Sequence, residues 1–159
     1  MSIYFFDASA VVKYFHREPG TAWVRQVVDA REPHNEIYIA DISLAEVPAA
    51  LAILARAKQI SIRMRDSLYA AFLDNIGSKF QLLRVTTSLA YAAGELTQPH
   101  PLKGYDAVQL ALALDFNATL AQQGLSAIFV SGDDRLVQAA KAEGMATGNP
   151  FLHVDLDTQ

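Results

Sequence analysis

The sequence contains no cysteine, which excludes disulfide bonds and metal sites built from thiolates. It also lacks a long apolar run, because charged or turn residues interrupt each run well short of the roughly 20 positions that span a membrane. The first residues lack the basic and apolar regions of a signal peptide. We therefore expect no membrane partner and a cytoplasmic location.

Positive charge is also scarce, since 13 Lys and Arg oppose 17 Asp and Glu and give a formal net charge of −4. A broad basic surface for nucleic acid is not expected from this balance. The argument weakens if several of the acids surround metal ions, because the remaining charge would then be close to neutral. Composition alone does not decide whether nucleic acid is a partner.

Several motifs of other enzyme classes are missing. There is no P-loop and no dinucleotide-binding glycine pattern, and no Ser–His–Asp or Cys–His arrangement is indicated by the spacing. The four histidines are scattered without the spacing of metal ligands, so we expect surface or structural roles for them. These absences leave the acidic residues as the main candidates for chemistry.

Short apolar runs alternate with longer helical patterns along the 159 residues. Strands are predicted at residues 3–6, 37–42, 81–85 and 127–130, with a fifth around 151–154. Helices are predicted at residues 9–16, 21–30, 44–58, 62–78, 88–97, 105–123 and 133–143. Turns are predicted at residues 18–20, 31–35, 98–104 and 148–150.

This alternation predicts an α/β protein, a three-layer α/β/α sandwich with a central, mainly parallel sheet of four to five strands. We expect one domain over residues 1–159, with a core of about 2–150 and a short C-terminal tail at 151–159. In such sheets, ligands bind beyond the carboxyl ends of the strands, at a topological switch point.

Four acidic residues lie near the predicted strand ends or helix starts, where this rule places a ligand. They are Asp7, Glu46, Asp106 and Asp133. Each also has a simpler interpretation, because acids in a first helical turn are favoured by the helix dipole and by free backbone amides. Ser43 and Glu46, for example, have the spacing of a capping box.

Taken together, the four acids favour a metal site over four independent caps. Asp7 follows a fully apolar strand and Asp106 precedes a nearly all-apolar helix, where an uncompensated buried charge costs several kcal/mol. Clustered oxygen ligands without cysteine suit a hard cation, Mg²⁺ or Mn²⁺. Such ions bridge phosphate oxygens and activate water, which is the chemistry of metal-assisted phosphodiester hydrolysis.

Four segments in this order, DASAVVKYFHREPG, SLAEV, LKGYDAVQLALAL and SGDDRLVQAA, resemble PIN-domain proteins of the VapC toxin type. The resemblance covers roughly residues 2–150. It implies the three-layer fold, a Mg²⁺- or Mn²⁺-dependent ribonuclease activity and a homodimer. It also implies a toxin of a type II toxin–antitoxin pair, which cleaves RNA and is inhibited by a cognate antitoxin.

The resemblance carries catalytic and metal-binding roles onto four positions of this chain. These positions are Asp7, Glu46, Asp106 and Asp133. Asp133 is selected over Asp134 because it stands three residues before Leu136, while Asp134 is a candidate for a supporting contact. Ser9 and Ser131 match hydroxyl positions that support the acids, although helix capping or turn polarity explains them equally well.

Two residues depart from the family pattern. Pro48 stands inside the helix that carries Glu46, where its missing N–H could delay or kink the helix and so displace Glu46. Lys103 replaces the arginine often found before the third acid, which keeps the charge without the fork geometry. Lys13, Lys103 and Arg135 are candidates for contacts with RNA phosphates, with solvated surface charge as the alternative.

The leading hypothesis is a metal-dependent endoribonuclease in which the four acids hold one or two divalent ions. The alternative is a PIN-like nucleic-acid- or protein-binding module with weak or lost nuclease activity, as the negative net charge and Pro48 suggest. A third hypothesis is a nuclease that uses the same acids on DNA or structured substrates.

Overall fold

The computed structural model describes residues 1–31 and 34–158, and within them the strands form one five-stranded parallel sheet. The strand order is β3-β2-β1-β4-β5, and each neighbouring pair is parallel. The strands are β1 Ile3–Phe6, β2 Glu36–Ala40, β3 Phe80–Leu83, β4 Ala127–Val130 and β5 Ala146–Gly148. The predicted parallel α/β class is therefore confirmed.

Seven α-helices are found in the described residues, and each corresponds to a predicted helix. They are α1 Ala8–Phe15, α2 Thr21–Val28, α3 Ser43–Arg56, α4 Ile62–Asp74, α5 Thr87–Leu96, α6 Gly104–Ala121 and α7 Asp134–Ala142. A 3₁₀ segment at Pro150–Thr158 follows the last strand. None of these helices combines the length and the apolar character required to cross a membrane.

Alternation of side chains along the strands creates two apolar cores, one on each face of the sheet. Phe5 and Phe129 belong to one core, which is covered by α6 and α7. Phe6 and Val130 belong to the other, which is covered by α1, α2, α3 and α4. Since successive strand residues point to opposite faces, fully apolar strands require helices on both sides. The three-layer arrangement follows directly.

The predicted fifth strand is in the wrong place. The strand is β5 at Ala146–Gly148, whereas residues 151–154 belong to the 3₁₀ segment. Pro150 lacks the N–H that a further ladder bond would need. The following residues pack instead against α2, where Trp23 stacks on His153 with ring centroids 4.6 Å apart. Residues 32 and 33 of a predicted turn, and residue 159 of the predicted tail, lie outside the described residues.

The topological switch lies between β1 and β4. From β1 the chain moves outward to β2 and β3, then returns to the other side of β1 as β4. Phe6 is paired with Val130 in the register, and the residues that follow, Asp7 and Ser131, leave the sheet side by side. The rim beyond these strands is therefore the position where a ligand site is expected.

Candidate functional site

A cleft of about 1080 Å³ opens at the carboxyl ends of the strands. Its lining includes Asp7, Glu46, Asp106 and Asp133, which come from four separate segments of the chain. Small and aliphatic side chains of α3 form an apolar part of the wall, including Ala49 and Ile53. The structure thus brings the four predicted acids to one cavity, while their catalytic and metal-binding roles remain predictions.

Asp7 lies at the centre of this arrangement and is buried. Its backbone N–H donates to the carbonyl of Val130 at 3.0 Å, which continues the pairing of β1 with β4. One carboxylate oxygen accepts from the Ala10 N–H at 2.9 Å, so Asp7 is the N-cap of α1. Capping is therefore part of its role, but it occupies only some of the acceptor sites of the carboxylate.

Two serine hydroxyls complete the contacts of Asp7. Ser9 donates to Oδ1 at 2.7 Å, and Ser131 donates to Oδ2 at 2.6 Å. Each hydroxyl also accepts a backbone N–H from the loop between β4 and α7, that of Gly132 at 2.9 Å and that of Asp133 at 3.0 Å. Ser9 and Ser131 therefore fix the orientation of Asp7 and join it to the loop that carries Asp133.

The capping-box interpretation of Ser43 and Glu46 is wrong. Helix α3 has Ile42 as its N-cap, Ser43 is its first residue, and no side chain caps it. Helix α3 also runs through Pro48 without a break, and Glu46 still faces the cleft. The side chain of Glu46 is consequently available for contacts outside its own helix.

Gln109 of α6 makes those contacts and was missed in the sequence. Its amide nitrogen donates to Glu46 Oε2 at 2.5 Å and to the Ser43 hydroxyl at 3.1 Å. Gln109 is buried in the apolar part of α6 and stands three residues after Asp106, on the same helical face. A polar residue three positions after a predicted site acid, on the same face of the helix, was the signal in the sequence that could have identified Gln109.

The other two acids are more open. Asp106 lies in the first turn of α6 and accepts the backbone N–H of Lys103. Asp133 is the N-cap of α7, with its carboxylate accepting from the Arg135 N–H at 2.8 Å. Its neighbour Asp134 also lines the cleft and accepts from the Asn149 side chain at 2.7 Å.

Burial, together with the neighbouring acids, makes this environment unfavourable for negative charge. Burial raises the pKa of Asp7 to about 6, against the opposing hydrogen bonds of Ser131, Ala10 and Ser9. Burial also raises the pKa of Glu46 to about 7, with the charges of Asp7 and Asp106 adding to the effect. The pKa of Asp106 is raised by burial and by the charge of Asp133. Buried carboxylates that repel one another are a common sign of a functional site.

The ligand atoms available in the cleft are of the type that a hard divalent cation prefers. All the acids present oxygen, and the buried Oε1 of Gln109, beside Glu46, finds no hydrogen-bond partner among the described residues. In residues 1–31 and 34–158, however, no three His, Asp or Glu side chains lie close enough together to hold an ion between them.

Of the three basic residues near the cleft, Lys13 differs from the expectation. Lys13 is buried rather than solvated: its ammonium pairs with Glu18 at 3.1 Å and donates to the Pro19 carbonyl at 3.1 Å. Lys103 lines the cleft and is exposed, so it remains a candidate for a phosphate contact. Arg135 is exposed at the start of α7.

Comparisons with known proteins agree with this architecture. The family model described as PIN domain matches residues 4–142. The chain is 31% identical over 150 residues to a protein of Mycobacterium tuberculosis named Ribonuclease VapC46, covering 94% of this chain and 99% of that protein. The fold is similar to FitAcB from Neisseria gonorrhoeae, with a TM-score of 0.61 and 17% identity over 94% of this chain and 98% of the other. It is also similar to VapC20 of M. tuberculosis, described as a sarcin-ricin loop cleaving toxin, with a TM-score of 0.58 and 17% identity over 87% and 95%.

Proposed function

Because the chain belongs to the PIN-domain family, we propose that it is a metal-dependent endoribonuclease that hydrolyses RNA phosphodiester bonds. The observation that carries the proposal is the gathering of Asp7, Glu46, Asp106 and Asp133 in one cleft at the switch point of the sheet. The 31% identity with a protein named as a ribonuclease supports RNA as the substrate.

In this proposal Asp7, Glu46, Asp106 and Asp133 would hold Mg²⁺ or Mn²⁺. The bound ion would supply Lewis acidity at the phosphate and would make water more acidic. Ser9 and Ser131 orient Asp7 by donating to its two carboxylate oxygens.

The residues around the acids have separate tasks. Gln109 holds Glu46 toward the cleft through its amide nitrogen. Lys103, exposed in the cleft lining, attracts the phosphate backbone of the strand. The apolar wall of α3 excludes water from one side of the reacting group.

The biological setting belongs to the same proposal: a cytoplasmic toxin of a type II toxin–antitoxin pair, with a cognate antitoxin as partner. VapC20 of M. tuberculosis, which has a similar fold, is described as a toxin, and this supports the assignment. A homodimer is also proposed. Helix α4 supports it by exposing several large apolar side chains, namely Ile62, Met64, Tyr69 and Leu73.

Cleavage of a labelled single-stranded RNA in Mg²⁺ or Mn²⁺ tests the activity. Asp7→Asn and Asp106→Asn should each reduce the rate at least about a hundredfold, since losing a residue that only supports a metal ligand already costs about 10- to 100-fold. Asp115→Asn is the matched control, because Asp115 is an exposed acid on the same helix as Asp106 and does not line the cleft. Full activity of both cleft variants would refute the assignment of the acids.

A binding module with lost nuclease activity is the second candidate. The wide spacing of the acids in the described residues and the net charge of −4 favour it. Titration calorimetry with Mn²⁺ distinguishes the two. A heat of Mn²⁺ binding that is present in the wild-type protein and absent in Asp7→Asn supports the ribonuclease proposal. No binding to the wild-type protein at millimolar Mn²⁺ supports the binding module. Parallel assays with DNA of the same sequence test the third hypothesis, a nuclease acting on DNA.

A further inference from the structure

An exposed aromatic ring stands at the edge of the acidic cleft and has no part in the chemistry described above. Phe151, the second residue of the 3₁₀ segment, lines the cleft and is 46% exposed. In a cleft wall, a ligand can cover such a ring and gain the free energy of burying its apolar surface.

The ring lies close to the reacting end of the cleft. A Cβ atom placed on Gly132 would be 3.3 Å from the ring edge of Phe151 and 3.4 Å from the Ser9 hydroxyl. That hydroxyl donates directly to Asp7. A single carbon atom added to Gly132 would therefore contact both the Phe151 ring and the hydroxyl that donates to Asp7.

One face of the ring is already occupied. The Lys13 ammonium lies 3.9 Å from the ring centroid, in a cation–π contact, while Glu18 neutralises its charge. Nearly half of the Phe151 surface remains open to solvent despite this contact. An aromatic face beside a bound phosphate backbone is the feature on which proteins stack the bases of single strands.

The position of the ring is also fixed. The Phe151 N–H donates to Asn149 Oδ1 at 2.9 Å, and the buried Asn149 side chain donates to Asp134 in α7. Further along the segment, Asp157 accepts the N–H groups of Gly20 and Ala22 at 2.6 and 2.8 Å. These contacts join the segment to both α7 and α2, so the ring is held in place before any ligand arrives.

We propose that Phe151 is a stacking platform for one nucleobase of the strand whose phosphate lies among the acids. This inference rests on the proposed ribonuclease function and deepens it, because it assigns single-stranded RNA as the form that is bound. It also gives the 3₁₀ segment a role in substrate selection.

The test measures binding rather than cleavage. The Asp106→Asn variant in Mg²⁺ is titrated into a fluorescein-labelled adenosine decamer, and the dissociation constant is obtained from anisotropy. Phe151→Leu, which keeps apolar contact with Lys13 but has no aromatic face, should weaken binding about five- to a hundredfold, the loss expected for one base–aromatic stack. Phe151→Trp should retain the affinity. Tyr91→Leu, a change at an exposed aromatic residue outside the cleft lining, is the matched control.

A set of decamers with a single abasic site at each position in turn identifies stacking itself. At one position the missing base should weaken binding to the Phe151 protein and leave the Phe151→Leu protein unchanged. Equal losses in both proteins at every position, or equal affinities of Phe151 and Phe151→Leu for the intact decamer, would overturn the platform. If the wild-type protein cleaves RNA but each abasic site weakens binding equally in the Phe151 and Phe151→Leu proteins, only this inference fails. If the wild-type protein neither binds nor cleaves RNA, the ribonuclease proposal fails with it.

Discussion

Asp7 and Lys13 stand six residues apart and are buried to nearly the same degree, with exposed fractions of 5% and 3%. Their surroundings differ in charge. Lys13 has an opposite charge in Glu18, a carbonyl acceptor in Pro19 and an aromatic ring in Phe151. Asp7 has neutral donors and, across the cleft, the like charges of Glu46 and Asp106.

This difference separates a structural charge from a functional one. A buried charge with an oppositely charged partner is compensated, and removing one residue of the pair destabilises the protein. A buried charge among like charges is unfavourable as it stands, and it is relieved by protonation or by a cation. Asp7 therefore limits the stability of the metal-free protein, whereas the charge of Lys13 is compensated by its partners.

The largest expected effect comes from neutralising Asp7. Its pKa in the folded chain is about 6, above the ordinary 3.8, so the folded state binds the proton more tightly and loses stability as the pH rises through 6. Asp7→Asn should therefore stabilise the metal-free protein at pH 8 by up to about 3 kcal/mol and have little effect at pH 4. Urea unfolding in EDTA at the two pH values measures this, and a variant destabilised equally at both would contradict it.

The second effect concerns the hydroxyl that holds Asp7. Ser131→Ala removes a 2.6 Å hydrogen bond to Oδ2 and also the acceptor for the Asp133 N–H. We expect RNA cleavage to fall about 10- to 100-fold, as for other residues that support metal ligands. Ser78→Ala, at an exposed serine far along the chain, provides the control. Unchanged cleavage in Ser131→Ala would show that the Ser131 hydroxyl is not needed to orient Asp7.

The third effect tests the compensated charge. Glu18→Gln leaves the buried Lys13 without its anion and should destabilise the protein by about 1–2 kcal/mol, less than a fully buried pair because Glu18 is partly exposed. The double variant Lys13→Met with Glu18→Gln should recover most of that loss. Thermal and urea unfolding supply the values. A double variant less stable than Glu18→Gln would mean that Lys13 contributes through more than its pairing.

The smallest effect is the pH dependence of stabilisation by metal. Binding of Mn²⁺ requires ionised carboxylates, and the raised pKa values of Asp7 and Glu46 keep them partly protonated below about pH 6–7. Millimolar Mn²⁺ should therefore raise the melting temperature more at pH 8 than at pH 5.5. An equal shift at both values would place the ion away from these two acids.

The sequence predicted the elements whose patterns are strong and failed where residues act across the fold. Asp7 was found because an acid directly after an apolar strand is unusual. Ser43 was misread because its spacing to Glu46 imitates a cap, while its true partner, Gln109, is 66 residues away. Lys13 was predicted to contact RNA phosphate or to be solvated, and neither prediction anticipated its burial, because the contacts that compensate its charge come from the turn after α1 and from the 3₁₀ segment. Strand β5 was misplaced because Ala146–Gly148 is short and has no apolar pattern.

The pairing of β1 with β4 also has a consequence for synthesis of the chain. The first strand must wait for residues 127–130 to gain its second neighbour, and Asp7 must wait for Ser131, 124 positions later, to gain its second hydroxyl. A nascent chain still on the ribosome therefore lacks a complete acidic site until residues 127–133 have emerged and β4 has paired with β1. The toxin activity that we propose is then absent throughout the synthesis of the first 126 residues.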